Sequence, residues 1–246
     1  MHAKLFAMAR LRTASSRVDA VTDRLREEIF EGEYAPGTPL RELALAKALG
    51  VSQATVREAL QRLEHAGLVT RTPNIGSEVT RLSPKNVRER VRLRALLEVL
   101  AAQEAAPRMG PEQFAELEER LGNLQIAVNS NRYYDAAQAD LAFHRYVWQC
   151  SGNDTLCQTL DLITVPLFAF ISILRSHGLQ KLPAVVEAHE PLIAALRSRD
   201  PEQIREAFER GATSSYREFL GDMSPAMMSA FGLLQRDQAA SVSDSR

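Results

Sequence analysis

With 246 residues, the chain is long enough for one large domain or two of ordinary size. Its 45% hydrophobic and 25% charged residues are typical of a soluble globular protein, and no apolar run approaches the roughly 20 residues of a membrane-spanning helix. The N-terminal apolar patch is too short for a signal-peptide core, so the sequence predicts a cytoplasmic protein without a membrane partner. Its two cysteines, Cys150 and Cys157, are predicted to be reduced thiols.

Charge is unevenly distributed along the chain, although the net charge is only −1. Residues 1–90 carry 15 lysines and arginines against 11 acidic residues, whereas residues 91–246 carry 15 against 20. A mildly basic N-terminal third favours a nucleic-acid-binding module attached to a second domain. Residues 1–17 contain four basic residues and no acid, which predicts a frayed terminus or a flexible basic arm that contacts phosphates.

Helical periodicity begins after this arm. A first helix is predicted over 18–30 and a second over about 40–49, where Gly50 ends it. A third helix follows within a few residues, after Ser52, whose side chain is a good N-cap. Two short helices joined in this way form a helix-turn-helix, which presents its second helix to the major groove of DNA.

The third helix is the predicted recognition helix. Val56, Leu60 and Leu63 recur at spacings of four and three, which predicts one buried stripe, and Gly67 lies where a left-handed C-terminal cap is expected. The opposite face carries amides, a hydroxyl and a guanidinium, the groups that read base edges and phosphates. These side chains are Gln53, Thr55, Arg57 and Gln61.

Two β-prone runs follow, at 68–71 and 77–81, around a turn that contains Pro73 and Gly76. A hairpin directly after a recognition helix is a wing. Three helices and a hairpin in this order predict a winged helix-turn-helix domain over residues 18–82. The order of the parts is much more specific than any one of them.

Strand signals almost vanish beyond Pro84, and six helices with short connections are predicted. They cover about 84–106, 114–128, 133–150, 155–176, 183–197 and 202–220. Six apolar positions mark the first of these helices, namely Val87, Val91, Leu93, Leu96, Leu97 and Leu100. Pro166 should kink or split the fourth. The predicted fold is therefore mostly α: the winged helix-turn-helix, an antiparallel all-helical bundle over 83–221, and a tail over 222–246.

Three residues of this bundle have metal-binding chemistry. Asp140 and His144 lie four residues apart, on one face of a helix, and His189 lies on a later helix. Carboxylate and imidazole groups supply lone pairs suited to a divalent metal, although a packed or surface histidine is the plain alternative for each ring. The sequence shows no glycine-rich phosphate loop, nucleophile elbow or cysteine cluster, and no catalytic base can be identified in it.

The run from Leu49 to Val69 resembles the GntR family of bacterial transcriptional regulators, with Gly-Val-Ser before the third helix and Ala-Gly-Leu-Val after it. The C-terminal part resembles the FCD ligand-binding domain of the FadR-type subgroup. The matching residues are Arg94 and Glu98, Asp140 and His144, Ser151-Gly152-Asn153, and His189. The resemblance covers about residues 18–220.

This resemblance implies a homodimer that binds a pseudo-palindromic double-stranded operator. A small organic acid in the helical domain would alter the affinity for DNA, with Arg94 as a contact. The residues implied to contact DNA are Arg41, Ser52, Gln53, Thr55, Arg57 and Gly76. Many relatives hold a Zn, Ni or similar ion through one aspartate and three histidines, so Asp140, His144 and His189 are the implied metal ligands.

Three positions depart from the family pattern. Gln53 and Ile75 replace two common arginines, which should weaken the attraction to phosphates. Glutamine also favours adenine where arginine favours guanine. The last histidine of the family's metal site falls on Gly211, which cannot ligate, so water or the effector would have to fill that position.

The leading interpretation is a ligand-responsive DNA-binding repressor that is not an enzyme. A metal-free variant with an acyl or apolar effector is the main alternative, because Gly211 and the apolar run 167–171 permit it. A metallohydrolase with a DNA-binding appendage would need a general base and an open cleft. An architectural protein whose bundle only dimerises is the third possibility.

Overall fold

The computed structural model describes residues 17–130, 132–176, 184–214 and 216. The chain divides after Arg81 into two compact units, Met1–Arg81 and Leu82–Arg246, which we call the winged-helix unit and the helical unit. The predicted basic arm, apart from Arg17, and the predicted C-terminal tail lie outside the described residues.

The winged-helix unit has three helices followed by a hairpin, as the sequence predicts. Helix α1 covers 17–30, α2 covers Glu42–Leu49 and α3 covers Gln53–His65. Strands β1 (Val69–Thr72) and β2 (Gly76–Val79) pair antiparallel. Helix α2 begins two residues later than predicted, and its Leu43 is 73% exposed because Leu45 and Ala46 form the buried side of this short helix.

The ends of α3 follow from local sequence. The Ser52 hydroxyl accepts a 3.1 Å hydrogen bond from the Thr55 backbone N–H, which satisfies one of the orphan amides of the first turn. Gly67 has a φ of +72°, and beside it the Leu68 N–H donates to the Leu63 carbonyl at 2.9 Å. Both predicted caps are confirmed, and so is the buried stripe of Val56, Leu60 and Leu63.

The loop before α2 is tied to the wing. Gly37 has a φ of +83°, a conformation that strains other residues, and a Cβ here would also displace the guanidinium of Arg81. Arg81 Nη2 donates to the Gly37 carbonyl at 3.3 Å, and the Leu40 N–H donates to the Ser77 carbonyl at 2.8 Å. These bonds set the first turn of α2 beside the base of the hairpin.

The described part of the helical unit consists of helices joined by short connections, which confirms the predicted fold class. The helices are α4 (Pro84–Ala105), a 3-10 turn (Ala106–Arg108), α5 (Pro111–Asn129), α6 (Tyr133–Cys150), α7 (Asp154–Ser176), α8 (Ala184–Glu187), α9 (Glu190–Ser198) and α10 (Pro201–Ser214). The prediction of one helix over 183–197 is wrong. Pro191 has no N–H and its ring would clash with the Glu187 carbonyl, so the chain breaks at Ala188–His189 and starts again as α9.

Helix α4 leaves three of its leucines at the surface and buries a charged pair instead. Leu93, Leu96 and Leu100 are 49%, 64% and 43% exposed, whereas Arg94 and Glu98 are buried. A charged pair takes two of the inward positions, because each charge has the other as its partner there.

Helix α7 continues through Pro166 without splitting. Pro166 has no N–H to donate, so the Leu162 carbonyl one turn earlier loses its helical partner. Arg90 on α4 supplies the missing donor: its Nη1 lies 3.1 Å from the Leu162 carbonyl oxygen and 3.3 Å from that of Ile163. This contact joins α4 to the proline turn of α7.

By length and composition, α7 would also pass for a membrane span, with a mean hydropathy of 1.8, which the sequence analysis did not anticipate. However, 67% of that stretch is buried inside the protein, so α7 is the core helix of the helical unit. Cys150 and Cys157, on either side of the turn between α6 and α7, are free thiols as predicted.

Candidate functional site

The first turn of α2 and the outer face of α3 form a polar surface, which we call the reading surface (Arg41, Glu42, Gln53, Thr55 and Arg57). Arg57 Nη2 lies 2.7 Å from Glu42 Oε2, and Arg57 Nε lies 3.1 Å from both carboxylate oxygens. Gln53 Nε2 donates to the same Oε2 at 3.0 Å. One carboxylate, which the sequence pattern does not single out, therefore holds two of the implied DNA contacts.

The other implied DNA contacts lie at the ends of neighbouring elements. Arg41 immediately precedes α2 and is exposed. The hydroxyls of Ser52 and Thr55 lie 2.8 Å apart at the start of α3, so both take part in the helix cap. Gly76 begins β2 with a φ of +122°, a conformation that a side chain would strain. The structure places all of these residues in the winged-helix unit.

Arg71 is a further cation near this surface that the sequence pattern does not single out. It is an exposed residue of β1, and with Arg41 and Glu42 it lines a groove of about 380 Å³ between the start of α2 and the wing. The hydrogen bond from Arg57, and to a lesser extent the charge of Arg71, hold the pKa of Glu42 below its usual value. Arg41 and Arg71 line this groove together with Glu42 and Glu78, and Arg57 pairs with Glu42. Three cations therefore outnumber two acids, and the net positive charge suits phosphates.

The helical unit brings together the implied metal ligands. Asp140 and His144 lie on α6, and His189 lies at the break before α9. Asp140 Oδ1 lies 3.1 Å from His189 Nε2 and 3.4 Å from His144 Nε2, and one ligand atom of each residue lies within 4.8 Å of the others. All three side chains are buried.

Each of the other ring nitrogens lies beside an oxygen that favours a proton there, which leaves both Nε2 lone pairs facing this centre. His189 Nδ1 lies 2.7 Å from the Val185 carbonyl, which can only accept, so a neutral ring carries its proton on Nδ1. Glu98 Oε1 lies 3.0 Å from His144 Nδ1 and favours the same tautomer. Two Nε2 lone pairs then lie beside a carboxylate oxygen; Arg94 Nη2 lies 3.2 Å from that of His144, and a cation at this centre would satisfy both. Such outer partners are typical of metal-binding histidines.

Nearby charges shift the pKa values of this cluster. Burial opposes ionisation of Asp140, but the hydrogen bonds with His144 and His189 hold its pKa well below the ordinary value. Burial of Glu98 is likewise outweighed by Arg94 and His144, and its pKa falls to about 2. The pKa of His144 is raised in spite of burial, chiefly by the charge of Glu98. At neutral pH the two acids are therefore ionised, and the cluster attracts positive charge.

A cavity of about 30 Å³, roughly the size of one water molecule, adjoins the cluster. Arg94 lines it, with Nη2 lying 3.2 Å from His144 Nε2 and 3.3 Å from Glu98 Oε1. Arg175 of α7 lines the same cavity, is 5% exposed, and has no hydrogen-bond partner for its Nε among the described residues. The sequence pattern gives no signal for Arg175, because only the packing of α7 brings it to this cavity.

Gly211 of α10 also lines the cavity, at the position where the resemblance places a fourth ligand. A Cβ at this residue would lie 3.2 Å from Leu192 Cδ2, so Leu192 occupies part of the space that a histidine would need. The donor set of one carboxylate and two oriented imidazoles fits a divalent metal such as Zn or Ni. Three protein ligands leave further coordination to water or to an oxygen of a bound molecule.

A winged helix-turn-helix unit followed by a helical unit with a buried polar cavity defines a class of DNA-binding regulators with a C-terminal ligand domain. Residues 17–79 match the model of the bacterial regulatory proteins of the gntR family, and residues 89–211 match that of the FCD domain. The chain therefore belongs to the GntR family and carries an FCD domain, as its motifs predict. It is a DNA-binding transcriptional regulator.

Bacterial relatives carry regulator names. A protein of Paenarthrobacter nicotinovorans named probable D-xylose utilization operon transcriptional repressor is 30% identical over 77% of this chain and 83% of its own length. The HTH-type transcriptional repressor RspR of Escherichia coli is 29% identical over 74% of this chain and 80% of its own length. Proteins with these names are regulators rather than enzymes.

Solved structures show the same fold. Escherichia coli McbR/YncC superposes with a TM-score of 0.70 at 24% identity, over 83% of this chain and 97% of that one. A GntR regulator of Rhodococcus sp. RHA1 superposes with a TM-score of 0.69 at 21% identity, over 85% of this chain and 100% of the other. At these identities the likeness concerns the fold alone.

Proposed function

We propose that this protein is a cytoplasmic, metabolite-responsive repressor that binds a pseudo-palindromic operator as a homodimer. The observation that carries the proposal is the convergence of Asp140, His144 and His189 with two buried arginines, Arg94 and Arg175, at one cavity of the FCD domain. Burying so many ionisable groups in a helical core is costly, and a ligand that uses them accounts for their presence. Repressor names among the relatives support the direction of regulation.

The winged-helix unit would supply the DNA contacts. Exposed Arg41, Gln53 and Arg57 offer donors and acceptors to base edges and phosphates. Ser52 and Thr55 lie at the N-terminus of α3, where backbone amides and the helix dipole favour a phosphate. The glycine at residue 76 would let the wing backbone approach the DNA closely.

The charge balance of the buried cluster favours an anionic effector. Metal binding requires neutral imidazoles, and with both rings neutral the described buried charges cancel: Arg94 and Arg175 against Glu98 and Asp140. A divalent cation would add two positive charges, and an effector carboxylate would neutralise part of them while it accepts hydrogen bonds from the guanidinium groups. A cavity of about 30 Å³ is too small for an organic acid, so binding would have to move the surrounding helices. This movement would couple the effector to DNA affinity.

Asp140, His144 and His189 would hold the metal, with Zn or Ni expected. The metal would supply a positive charge to which an acidic effector coordinates. In the present arrangement, Arg94 Nη2 contacts His144 Nε2, the lone pair that a metal would take. Metal binding would therefore release Arg94 towards the effector.

A metal-free variant that responds to an acyl or apolar effector is favoured by one observation. Leu192 packs against Gly211 where a fourth ligand would stand, and Phe168 and Ile171 extend the apolar wall of the cavity. Metal analysis of protein purified without a histidine tag separates the two forms. After dialysis against Zn or Ni, about one equivalent supports the metal form, whereas less than about half an equivalent, unchanged in His144→Ala, supports the metal-free form.

The exposed leucines of α4 support a dimer interface with a second copy of the chain. Leu93, Leu96 and Leu100 form a stripe at helical spacing beside a groove of about 660 Å³ between α4 and α10. The groove carries both arginines and glutamates, so a two-fold axis can place the cations of one copy against the acids of the other. Leu96→Glu should shift the dimer to monomer in light scattering, whereas Ile126→Glu, at an exposed apolar residue of α5, should not.

The experiment that tests the proposed function is a thermal-shift screen of organic acids and acyl thioesters, followed by operator release. Linkage requires a true effector to raise the midpoint of unfolding and to change the affinity for DNA. The operator is first selected from random duplexes by the untreated protein. If no sequence is enriched, the assignment as a regulator of specific operators fails. If no compound changes both quantities, the effector part of the proposal fails.

A further inference from the structure

We propose that Glu42 is a positioning residue for DNA reading, which fixes the Gln53 amide with its oxygen towards the bases and thereby selects a base that carries an amino group. The inference rests on the proposed function, in which α3 contacts DNA. Glu42 lies on α2, whereas Gln53, the side chain that it orients, lies on α3.

The orientation of the amide follows from the chemistry of its partner. Gln53 Nε2 lies 3.0 Å from Glu42 Oε2, and an ionised carboxylate can only accept hydrogen bonds. A flipped amide would place two oxygens at this distance and would lose the bond. The NH2 group of Gln53 therefore faces Glu42, and Oε1 is the atom left for another donor.

Arg57, a second proposed DNA contact, pairs with the same carboxylate. It donates from Nε and from Nη2, so Nη1 takes no part in the pair. The Arg57 side chain is 49% exposed and the Glu42 side chain 20%, so the carboxylate is the more buried member of the pair. Gln53 and Arg57 lie one helical turn apart on α3, so Glu42 aligns two adjacent readers at once.

This alignment determines what the surface can recognise. An outward amide oxygen accepts from the exocyclic amino group of adenine or cytosine in the major groove. Guanine and thymine present oxygen acceptors there, which would face the amide oxygen without a hydrogen between them. The remaining N–H of Gln53 still allows a second bond to N7 of adenine, so adenine should rank first.

The negative charge of Glu42 acts on specificity in a second way. It reduces the positive charge of the reading surface and therefore weakens attraction to phosphates of any sequence. Specificity is the ratio of affinity for the operator to affinity for other DNA. Glu42 would raise this ratio in two ways, because it lowers non-specific binding and it orients the Gln53 amide that contacts a base. This predicts opposite effects of its removal on the two kinds of binding.

The test uses the full-length protein and random DNA duplexes. Wild type defines the preferred operator, and Gln53→Ala identifies the base pair whose preference depends on Gln53. In Glu42→Gln, discrimination at that base pair should fall by roughly 5-fold, because the freed amide can flip. Affinity for non-specific DNA should rise by roughly 2-fold or more and become steeper in salt. Glu42→Asp keeps the charge but shortens the reach, so it should relax discrimination and leave non-specific affinity near that of wild type.

Glu58→Gln is the matched control, because it removes the same charge from α3 but its ion-pair partner is Arg62. It should leave discrimination at the Gln53 base pair unchanged. Unchanged discrimination in a folded Glu42→Gln protein would overturn the inference, and so would equal weakening of specific and non-specific binding, which indicates a merely structural role. Failure of wild type to select any sequence would instead refute the underlying function.

Discussion

The two units hold their candidate functional groups in opposite ways. In the winged-helix unit, Arg57 pairs with Glu42 only 15 residues away in the chain, and the arginine side chain is 49% exposed. In the helical unit, His189 reaches Asp140 across 49 residues, and every member of the cluster is buried. The first arrangement displays its groups to a large partner, and the second encloses them for a small one.

This difference has an energetic consequence. Exposed ion pairs contribute little to stability, about 0–1 kcal/mol each, so the reading surface can be altered without unfolding the unit. Removing one member of a buried charged network leaves the others unpaired and costs several kcal/mol. Substitutions at the reading surface should therefore change function alone, whereas substitutions at the buried cluster should change function and stability together.

The largest effect is expected from Arg57→Ala. In the proposed dimer the variant loses one DNA contact in each half, at about 1–3 kcal/mol per contact, so operator affinity should fall by roughly 100-fold or more. Fluorescence anisotropy with the selected operator measures this loss, and the midpoint of thermal unfolding should stay constant. Arg62→Ala is the control, because Arg62 pairs with Asp19 and Glu58 on the same unit. Unchanged operator affinity in Arg57→Ala would contradict the proposal that the reading surface contacts DNA.

In the helical unit, His144→Ala should lower both metal affinity and stability. Loss of one of three ligands should lower metal affinity by more than the roughly 10–100-fold typical of losing an outer partner. The buried carboxylates of Glu98 and Asp140 also lose their common partner, so the unfolding midpoint should fall. Metal content after chelator competition, together with calorimetry, measures both. A protein with wild-type metal content and stability would show that His144 is neither a ligand nor part of the buried network.

The fourth ligand position can be rebuilt. Gly211→His alone should gain little, because Leu192 packs 3.2 Å from the added Cβ. Combined with Leu192→Ala, it should raise metal affinity by about 10-fold or more relative to Leu192→Ala alone. The single Leu192→Ala variant should lose about 2–5 kcal/mol of stability by opening a cavity in the core. Equal metal affinity in the double variant and in Leu192→Ala would show that residue 211 does not face the metal position.

Gln53→Arg should introduce the cation that the family resemblance implies at this position. Preference at the contacted base pair should change from adenine to guanine. The slope of log affinity against log salt should steepen by about one per added phosphate contact in each subunit. Selection from random duplexes and binding at several salt concentrations measure the two effects. Retention of the wild-type base preference would place Gln53 away from the bases.

The smallest effect is expected from Arg90→Met. The carbonyl of Leu162 would lose the donor that replaces the missing Pro166 N–H, which should cost about 1 kcal/mol of unfolding free energy. Urea denaturation followed by circular dichroism measures the change, while operator affinity without effector should stay constant. Lys85→Met, whose side chain is 77% exposed on the same helix, is the control. Equal stability of the two variants would refute the role of Arg90 at the proline turn.

Local sequence determined the elements and the fold class. Helix caps, the spacing of apolar residues and turn residues act over a few positions, so Ser52, Gly67 and the hairpin could be read directly. Family motifs also pointed to Asp140, His144 and His189, which the fold brings to one place. The break before α9 was missed although Pro191 carries a local signal for it.

Only the tertiary structure decided which faces and partners these elements use. Helix α4 has apolar residues on more than one face, so periodicity could not tell that Arg94 and Glu98 turn inward while Leu96 stays outside. Glu42 as the holder of Gln53, Arg175 at the cavity, and Leu192 against Gly211 each depend on contacts between separate elements. The physical reason is that a side chain's partner is set by how helices pack, and packing depends on residues far apart in the chain.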